Sequence, residues 1–184
     1  MPRFLDFLIA ASLAVLTLPL VGVLLILVWI DTRTMPLFAQ YRVGRDERPF
    51  LMFKIRTMQL GTLQAPTHSV GTSAITRSGA FLRRYKLDEL PQLWNVVVGH
   101  MALVGPRPCL PSQKELIQAR RQGDVFSVRP GITGQAQVAG VDMSALDRIV
   151  QEDTDYVRGR NLSSDIRLLR LTFDGLTRQA PVKT

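Results

Sequence analysis

Residues 7–30 read FLIAASLAVLTLPLVGVLLILVWI, a run without a single charged side chain. At a helical rise it extends about 36 Å, enough to cross the hydrocarbon core of a bilayer. A cleaved leader is a poor reading, because the run is too long and Asp31-Thr32-Arg33-Thr34 follows it instead of a small-x-small cleavage site. Pro19 stands at its middle, with Gly22 close behind. Proline removes a backbone donor and crowds the preceding turn, so a bend is expected there. Ser12 or Thr17 would help to satisfy the freed carbonyl in lipid. Arg3 precedes the run, and Arg33, Arg42, Arg45 and Arg48 follow it. Cations on both flanks favour both ends on the cytoplasmic side. On these residues alone, a kinked spanning helix and a re-entrant helix both stay open.

The rest of the 184-residue chain is room for one compact domain behind this anchor. A net charge of +8 suits a negatively charged partner, whether nucleic acid, anionic lipid or a phosphorylated metabolite. One cysteine, Cys109, excludes an internal disulfide and fits a reducing compartment. It has no His or Cys at ligand spacing and reads as a small buried hydrophobe.

Past the anchor the pattern is short and mixed. Gln40 to Val43 and Phe50 to Ile55 read as strands of a hairpin around the polar turn Gly44–Pro49. Met58 to Ser73, rich in Gly, Thr, Ser and Gln, reads as a loop that carries His68 as a solvated side chain. A helix is expected over Ser78–Tyr85 with Ser78 as its N-cap, and another over Pro91–Val98 ended by Gly99. Gly105–Pro111 is a rigid loop with three prolines. Helices follow at Pro111–Gln122 and Ala145–Val157, with a Pro/Gly turn at Arg129–Gly134 between them. In Asp165–Leu176, Ile166, Leu169 and Phe173 recur at helical spacing beside Arg167 and Arg170. Such an amphipathic basic helix faces either a protein core or a membrane interface.

The chemistry centres on Lys86-Leu87-Asp88-Glu89-Leu90-Pro91-Gln92-Leu93-Trp94-Asn95. Helical neighbours point about 100° apart, so Asp88 and Glu89 would have different tasks. Their adjacency raises one carboxyl relative to the other. Alone, the pair reads as a solvated acidic start to a helix. Its company changes that weight. Lys54-Ile55-Arg56-Thr57, Arg83-Arg84, Gly105-Pro106-Arg107-Pro108 and Arg129-Pro130-Gly131-Ile132-Thr133-Gly134 bring cations from separate segments, two of them in stiff Pro/Gly frames. Rigid arginines bind phosphate with two parallel hydrogen bonds. A carboxylate among them, with Mg²⁺, suits phosphoryl transfer. No Walker loop, dinucleotide fingerprint, Cys/His metal spacing or Gly-x-Ser-x-Gly elbow occurs. A membrane-anchored basic module that binds anionic lipid or nucleic acid without catalysis is the alternative from another class, and a lipid-phosphate hydrolase is a third reading.

Five segments in this order resemble the monotopic phosphoglycosyl transferases, also called bacterial sugar transferases: Arg42-Val43-Gly44, Phe53–Met58, Leu87–Leu93, Leu103–Pro108 and Arg129–Gly134. The resemblance runs from the anchor to near the C-terminus and is closest to the minimal small form of that family. It implies a mostly helical α+β fold. Residues 1–34 would be a re-entrant membrane helix broken near Pro19. Residues 35–184 would be a cytoplasmic catalytic domain with a small β-hairpin and interfacial amphipathic helices, at the bacterial inner membrane.

The implied activity moves a sugar-1-phosphate from a UDP-sugar to a polyprenyl phosphate, as the first membrane step of O-antigen, capsule or glycoprotein glycan assembly. Asp88 would be the nucleophile and Mg²⁺ ligand, with Glu89 its acid/base or metal-positioning partner. Lys54, Arg56, Arg83, Pro106, Arg107, Arg129 and Thr133 would bind substrate. The implied partners are UDP-sugar, polyprenyl phosphate and inner-membrane phospholipid, with no nucleic acid; a homodimer is among the oligomeric states considered. The sequence departs from the family pattern at Leu18, His100, Ala102 and Val141.

Overall fold

The computed structural model describes residues 1–62, 74–141 and 144–178; His68 lies outside them. Helix α1 (Arg3–Thr32) carries the apolar run and ends on Arg33 in the left-handed conformation. Helical structure continues through Pro19, where the sequence predicted a break. Thr17 Oγ1 donates to the Leu13 carbonyl at 2.7 Å, so it does not serve the Val15 carbonyl that the missing proline N–H leaves without its i+4 donor.

Strands β1 (Leu37–Val43) and β2 (Pro49–Ile55) form the expected antiparallel hairpin, in a register that places Phe38 opposite Lys54 and Arg42 opposite Phe50. Helix α2 (Arg77–Arg84) is capped by Thr76, whose hydroxyl accepts from the Gly79 N–H at 3.0 Å. The predicted cap, Ser78, instead donates to Asp31 at the end of α1 at 2.6 Å. Helix α3 (Gln92–Val97) follows, then β3 (Ala102–Val104), α4 (Lys114–Gln122), β4 (Gly131–Thr133), α5 (Gln135–Val138), α6 (Leu146–Gly159) and α7 (Leu162–Arg178).

β3 and β4 pair in parallel, with Ala102 opposite Gly131 and Val104 opposite Thr133. The Pro/Gly content of the second stretch predicts a turn instead. Three-residue strands carry too few side chains to show a period of two. Gly131 meets the Gly105 backbone so closely that a Cβ there would collide with it.

The main core gathers Phe50 and Met52 from β2, Val96 from α3, Leu103 from β3, Tyr156 from α6 and Leu168 from α7. Ala10 of α1 belongs to the same cluster, and Asp6 accepts the Leu103 N–H at 3.1 Å. The other end of α1 packs elsewhere on the same body, where Leu24 and Val28 meet Ile55 of β2 and Leu82 of α2. Between these two dockings, Val15, Leu16 and Leu18 are exposed. α7 buries Asp165 and Leu168 and turns Ile166 and Phe173 outward. Two of the side chains expected to share one apolar face therefore point away from the core.

One buried amide joins helix to hairpin. Asn95, 0 % exposed, accepts from the Phe53 N–H at 3.1 Å and donates to the Leu51 carbonyl at 2.7 Å. It pairs the edge of β2 that faces away from β1. Asn95→Ala leaves both backbone groups without partners in the interior, so a loss of about 2–4 kcal/mol is expected. Denaturant unfolding in detergent measures it, and a loss below 1 kcal/mol would contradict the role given to this side chain.

Candidate active site

α2 ends at Arg84, and the chain reverses through Lys86, a non-glycine residue in the left-handed region at φ 52°. That conformation is uncommon for a lysine and stores a little strain. Leu87–Glu89 then form a single 3₁₀ turn. Leu87 and Leu90 on either side of the carboxylates pack against the Leu24–Val28–Ile55–Leu82 cluster. The apolar residues seen in the motif therefore aim the acidic pair: with Leu87 and Leu90 held inward, Asp88 and Glu89 face β2.

The two carboxylates have different surroundings. One oxygen of Glu89 takes both Lys54 Nζ at 3.2 Å and Arg107 Nη2 at 3.3 Å. Burial alone would make its ionisation harder, but Lys54 and Arg107 outweigh that and hold the carboxyl at about 2. Asp88 is 8 % exposed and forms no such close ion pair among the described residues. Burial pushes its carboxyl above the usual range, and the adjacent Glu89 charge adds to this, while Lys54 and Arg83 pull it back. Lys54 is itself pushed down, mainly by burial, with Arg107 and Arg42 acting in the same sense.

Asp88 borders a cavity of about 850 Å³ that lies under the hairpin. Lys54, Arg83, Glu89 and Arg107 share its wall, as do Arg56 and residues 59–62. The Arg83 Nε donates to Thr57 Oγ1 at 2.8 Å, which steadies that guanidinium. Arg56 donates to the Met35 carbonyl at 2.8 Å and lies over the Phe38 ring, 5.6 Å from its centroid.

Three sequence candidates stand outside the cavity wall. Arg129 donates to the Gly99 carbonyl at 2.8 Å. Thr133 is buried and shares a hydrogen bond of 2.7 Å with Thr172 of α7. Pro106 contributes its carbonyl to the Gly131 N–H at 3.0 Å. The parallel β3–β4 pair engages the Pro106 backbone, while the Arg129 and Thr133 side chains are held off the cavity by their own hydrogen bonds. The cavity adds Gln40 and Arg42, which no candidate list from the motifs contained. They alternate with Phe38 along β1, and period-two spacing is the signal that places them on one face. Arg42 Nη2 donates to Gln40 Oε1 at 2.7 Å.

The four departures from the family pattern also lie off the cavity wall. His100 tilts against Phe50 with ring centroids 5.7 Å apart, and Ala102 pairs within the β3–β4 sheet. Val141 packs beside the Val43–Cys109–Leu116–Ile149 cluster, and Leu18 is exposed on α1. Cys109 is fully buried, as expected of a small hydrophobe.

Residues 1–179 match the family described as bacterial sugar transferase. The chain belongs to that family. Among curated relatives, it is 36% identical to the UDP-galactose-lipid carrier transferase of Erwinia amylovora, over 93% of this chain and 39% of that protein. It is 41% identical to the UDP-glucose:undecaprenyl-phosphate glucose-1-phosphate transferase of Xanthomonas campestris pv. campestris, over 73% of this chain and 30% of the relative. A protein with the same enzyme name in Caulobacter vibrioides is 34% identical over 95% of this chain and 68% of its own length. The chain thus spans well under half the length of the first two relatives.

In this sugar transferase domain the depressed carboxyl of Glu89 sets a pH signature. Its ion pairs contribute stability that is fully present above the ordinary value of 4.5 and is lost as pH falls toward about 2. Glu89→Gln is expected to lower stability by about 3 kcal/mol at pH 7, with Lys54 and Arg107 left without the carboxylate they both bond. Denaturation midpoints of both proteins from pH 7 to pH 3 check this: the gap narrows on acidification, and a constant gap would contradict the pairing.

Proposed function

We propose that this domain transfers a sugar-1-phosphate from a UDP-sugar to a polyprenyl phosphate, with Asp88 as the nucleophile. The observation that carries the reading is the split between the two carboxylates. Glu89 is committed to two cations, whereas Asp88 borders the cavity without a close ion pair among the described residues, and Lys54, Arg83 and Arg107 share the wall. The substrate class named for the curated relatives supports this reading.

In the first step an Asp88 oxygen attacks the β-phosphorus. The bond from that phosphorus to the oxygen bridging the two phosphates breaks, and UMP leaves with that oxygen and the electron pair. A phosphosugar ester of Asp88 remains. A phosphate oxygen of polyprenyl phosphate then attacks the same phosphorus and releases the Asp88 carboxylate. Lys54, Arg83 and Arg107 would neutralise charge on the transferring group. Glu89 holds Lys54 and Arg107 in place for that task.

Among the described residues no three His, Cys, Asp or Glu side chains cluster into an all-protein metal cage. Mg²⁺ needs none, because it binds through one or two carboxylates plus waters and substrate phosphates. With Glu89 engaged, Asp88 is the residue that would hold it, and the bound ion would supply charge neutralisation at the phosphates.

Asp88→Asn tests the mechanism. With UDP-sugar and Mg²⁺ but no polyprenyl phosphate, the native protein is expected to release one burst of UMP and gain the mass of a phosphosugar. The variant is expected to lose both, with turnover down at least about 10³-fold. Full turnover by Asp88→Asn would overturn the assignment. Continuous UMP release without any lipid acceptor would favour a hydrolase, and salt-sensitive binding with no adduct would favour a non-catalytic basic module.

The reading extends to the membrane. α1 docks through Asp6 and Ala10 at one end and through Leu24 and Val28 at the other, on the same body that carries Asp88. This supports a re-entrant helix that enters and leaves on the cytoplasmic face, with the exposed stretch around Val15–Leu18 deepest in lipid. The outward Ile166 and Phe173 of α7, beside Arg167 and Arg170, suit an interfacial position among phospholipid head groups. Single cysteines placed at Pro2 and at Thr34 in a Cys109→Ala background are expected to react with a membrane-impermeant maleimide from the same side of sealed vesicles. Labelling from opposite sides would establish a spanning helix instead.

A further inference from the structure

Residues 106–109 have no regular secondary structure, yet four successive carbonyls are each held from outside. The Pro106 carbonyl accepts from the Gly131 N–H at 3.0 Å and the Cys109 carbonyl from the Val43 N–H at 3.0 Å. The Pro108 carbonyl accepts from Arg42 Nη1 at 3.3 Å. The Arg107 carbonyl accepts from Arg120 Nη1 at 2.8 Å. Two prolines remove their own N–H groups from this stretch, so it cannot build an internal ladder. Its shape is set by donors on β1, β4 and α4.

Arg120 has the most unusual position of these donors. It is 2 % exposed in the last turn of α4, and its Nε and Nη2 both donate to Asp153 Oδ2 of α6, at 3.0 and 2.6 Å. Asp153 is 1 % exposed. Neither residue borders the cavity around Asp88. Stability is a weak reason for such a pair, because well-packed apolar residues often replace a buried ion pair with no loss. A bond from Nη1 supplies a better one. A planar fork locked on one side by Asp153 presents Nη1 in a fixed direction, and that direction meets the main chain of Arg107. Arg107 then reaches Glu89 Oε1 at 3.3 Å, beside Lys54.

We infer that Arg120 and Asp153 are positioning residues for the transfer reaction, fixing the Arg107 guanidinium over the acidic pair by holding the Arg107 carbonyl. The inference rests on the function proposed above. Neither residue touches substrate, and both act through Arg107.

A double-mutant cycle in the full-length protein separates positioning from simple support of the fold. Arg120→Lys keeps the charge but cannot bond Asp153 and the Arg107 carbonyl with one rigid fork. It is expected to lower UDP affinity, read by calorimetry, and UMP release, each by about 10- to 100-fold. In an Arg107→Ala background, adding Arg120→Lys is expected to change neither further, because the group it positions is gone. Melting temperature should fall in both backgrounds alike. If Arg120→Lys reduces affinity and turnover equally with and without Arg107, the residue supports the fold alone and the inference is overturned. Should Arg120→Lys fail to fold, Asp153→Asn takes its place in the same cycle with the same two outcomes. A native protein that neither binds UDP nor releases UMP would overturn the proposed function itself; an active native protein with an additive cycle would remove only this inference.

Discussion

A single carboxylate oxygen of Glu89 receives a lysine from the hairpin and an arginine from the 106–109 stretch. Those cations would repel each other in a poorly solvated place without that anion between them. Much of the architecture serves this arrangement. Asn95 fixes β2 on α3 and so fixes Lys54, the left-handed Lys86 swings the acidic pair toward the hairpin, and the parallel β3–β4 pair delivers Arg107. The consequence falls on Asp88, which need not serve as counter-ion and is left lining the cavity.

The same economy explains why adjacent acids in one motif behave so differently. They share a turn, a net field and similar burial. What separates them is which one the cations touch. Glu89 becomes a permanently charged strut, and Asp88 becomes a carboxylate whose burial works against its charge. That second condition suits the nucleophilic role proposed for Asp88, since the carboxylate is not bound up in a close ion pair among the described residues.

Much of this was readable from residues. The apolar run, the hairpin around Gly44–Pro49 and the acidic pair follow from composition and spacing at short range, whereas the convergence of Lys54, Arg83 and Arg107 on that pair joins segments far apart in the chain and is what the family resemblance implies. What stayed hidden shares one cause. Arg129, Thr133 and Pro106 sit in stiff frames that look made for presenting side chains, but the frames are consumed by a parallel pairing between stretches about thirty residues apart. Such pairing leaves no local trace in three-residue strands. Arg120 was invisible for a similar reason: in α4 it reads as one of several surface cations, and only the approach of α6 gives it a buried partner. Thr76 displaced Ser78 as the cap because the Ser78 hydroxyl had a carboxylate from α1 to bind.

That α1 supplies core contacts as well as an exposed apolar stretch has a practical corollary. Ala10 fills space between α3 and the hairpin, Asp6 satisfies the Leu103 amide, and Val28 closes the cluster under Leu87. A truncated, water-soluble version starting after Thr34 would have an open seam along Val96 and Ile55 and an orphaned amide beside it. Work on the isolated domain would therefore need those three places refilled by redesign, not just the greasy segment cut away.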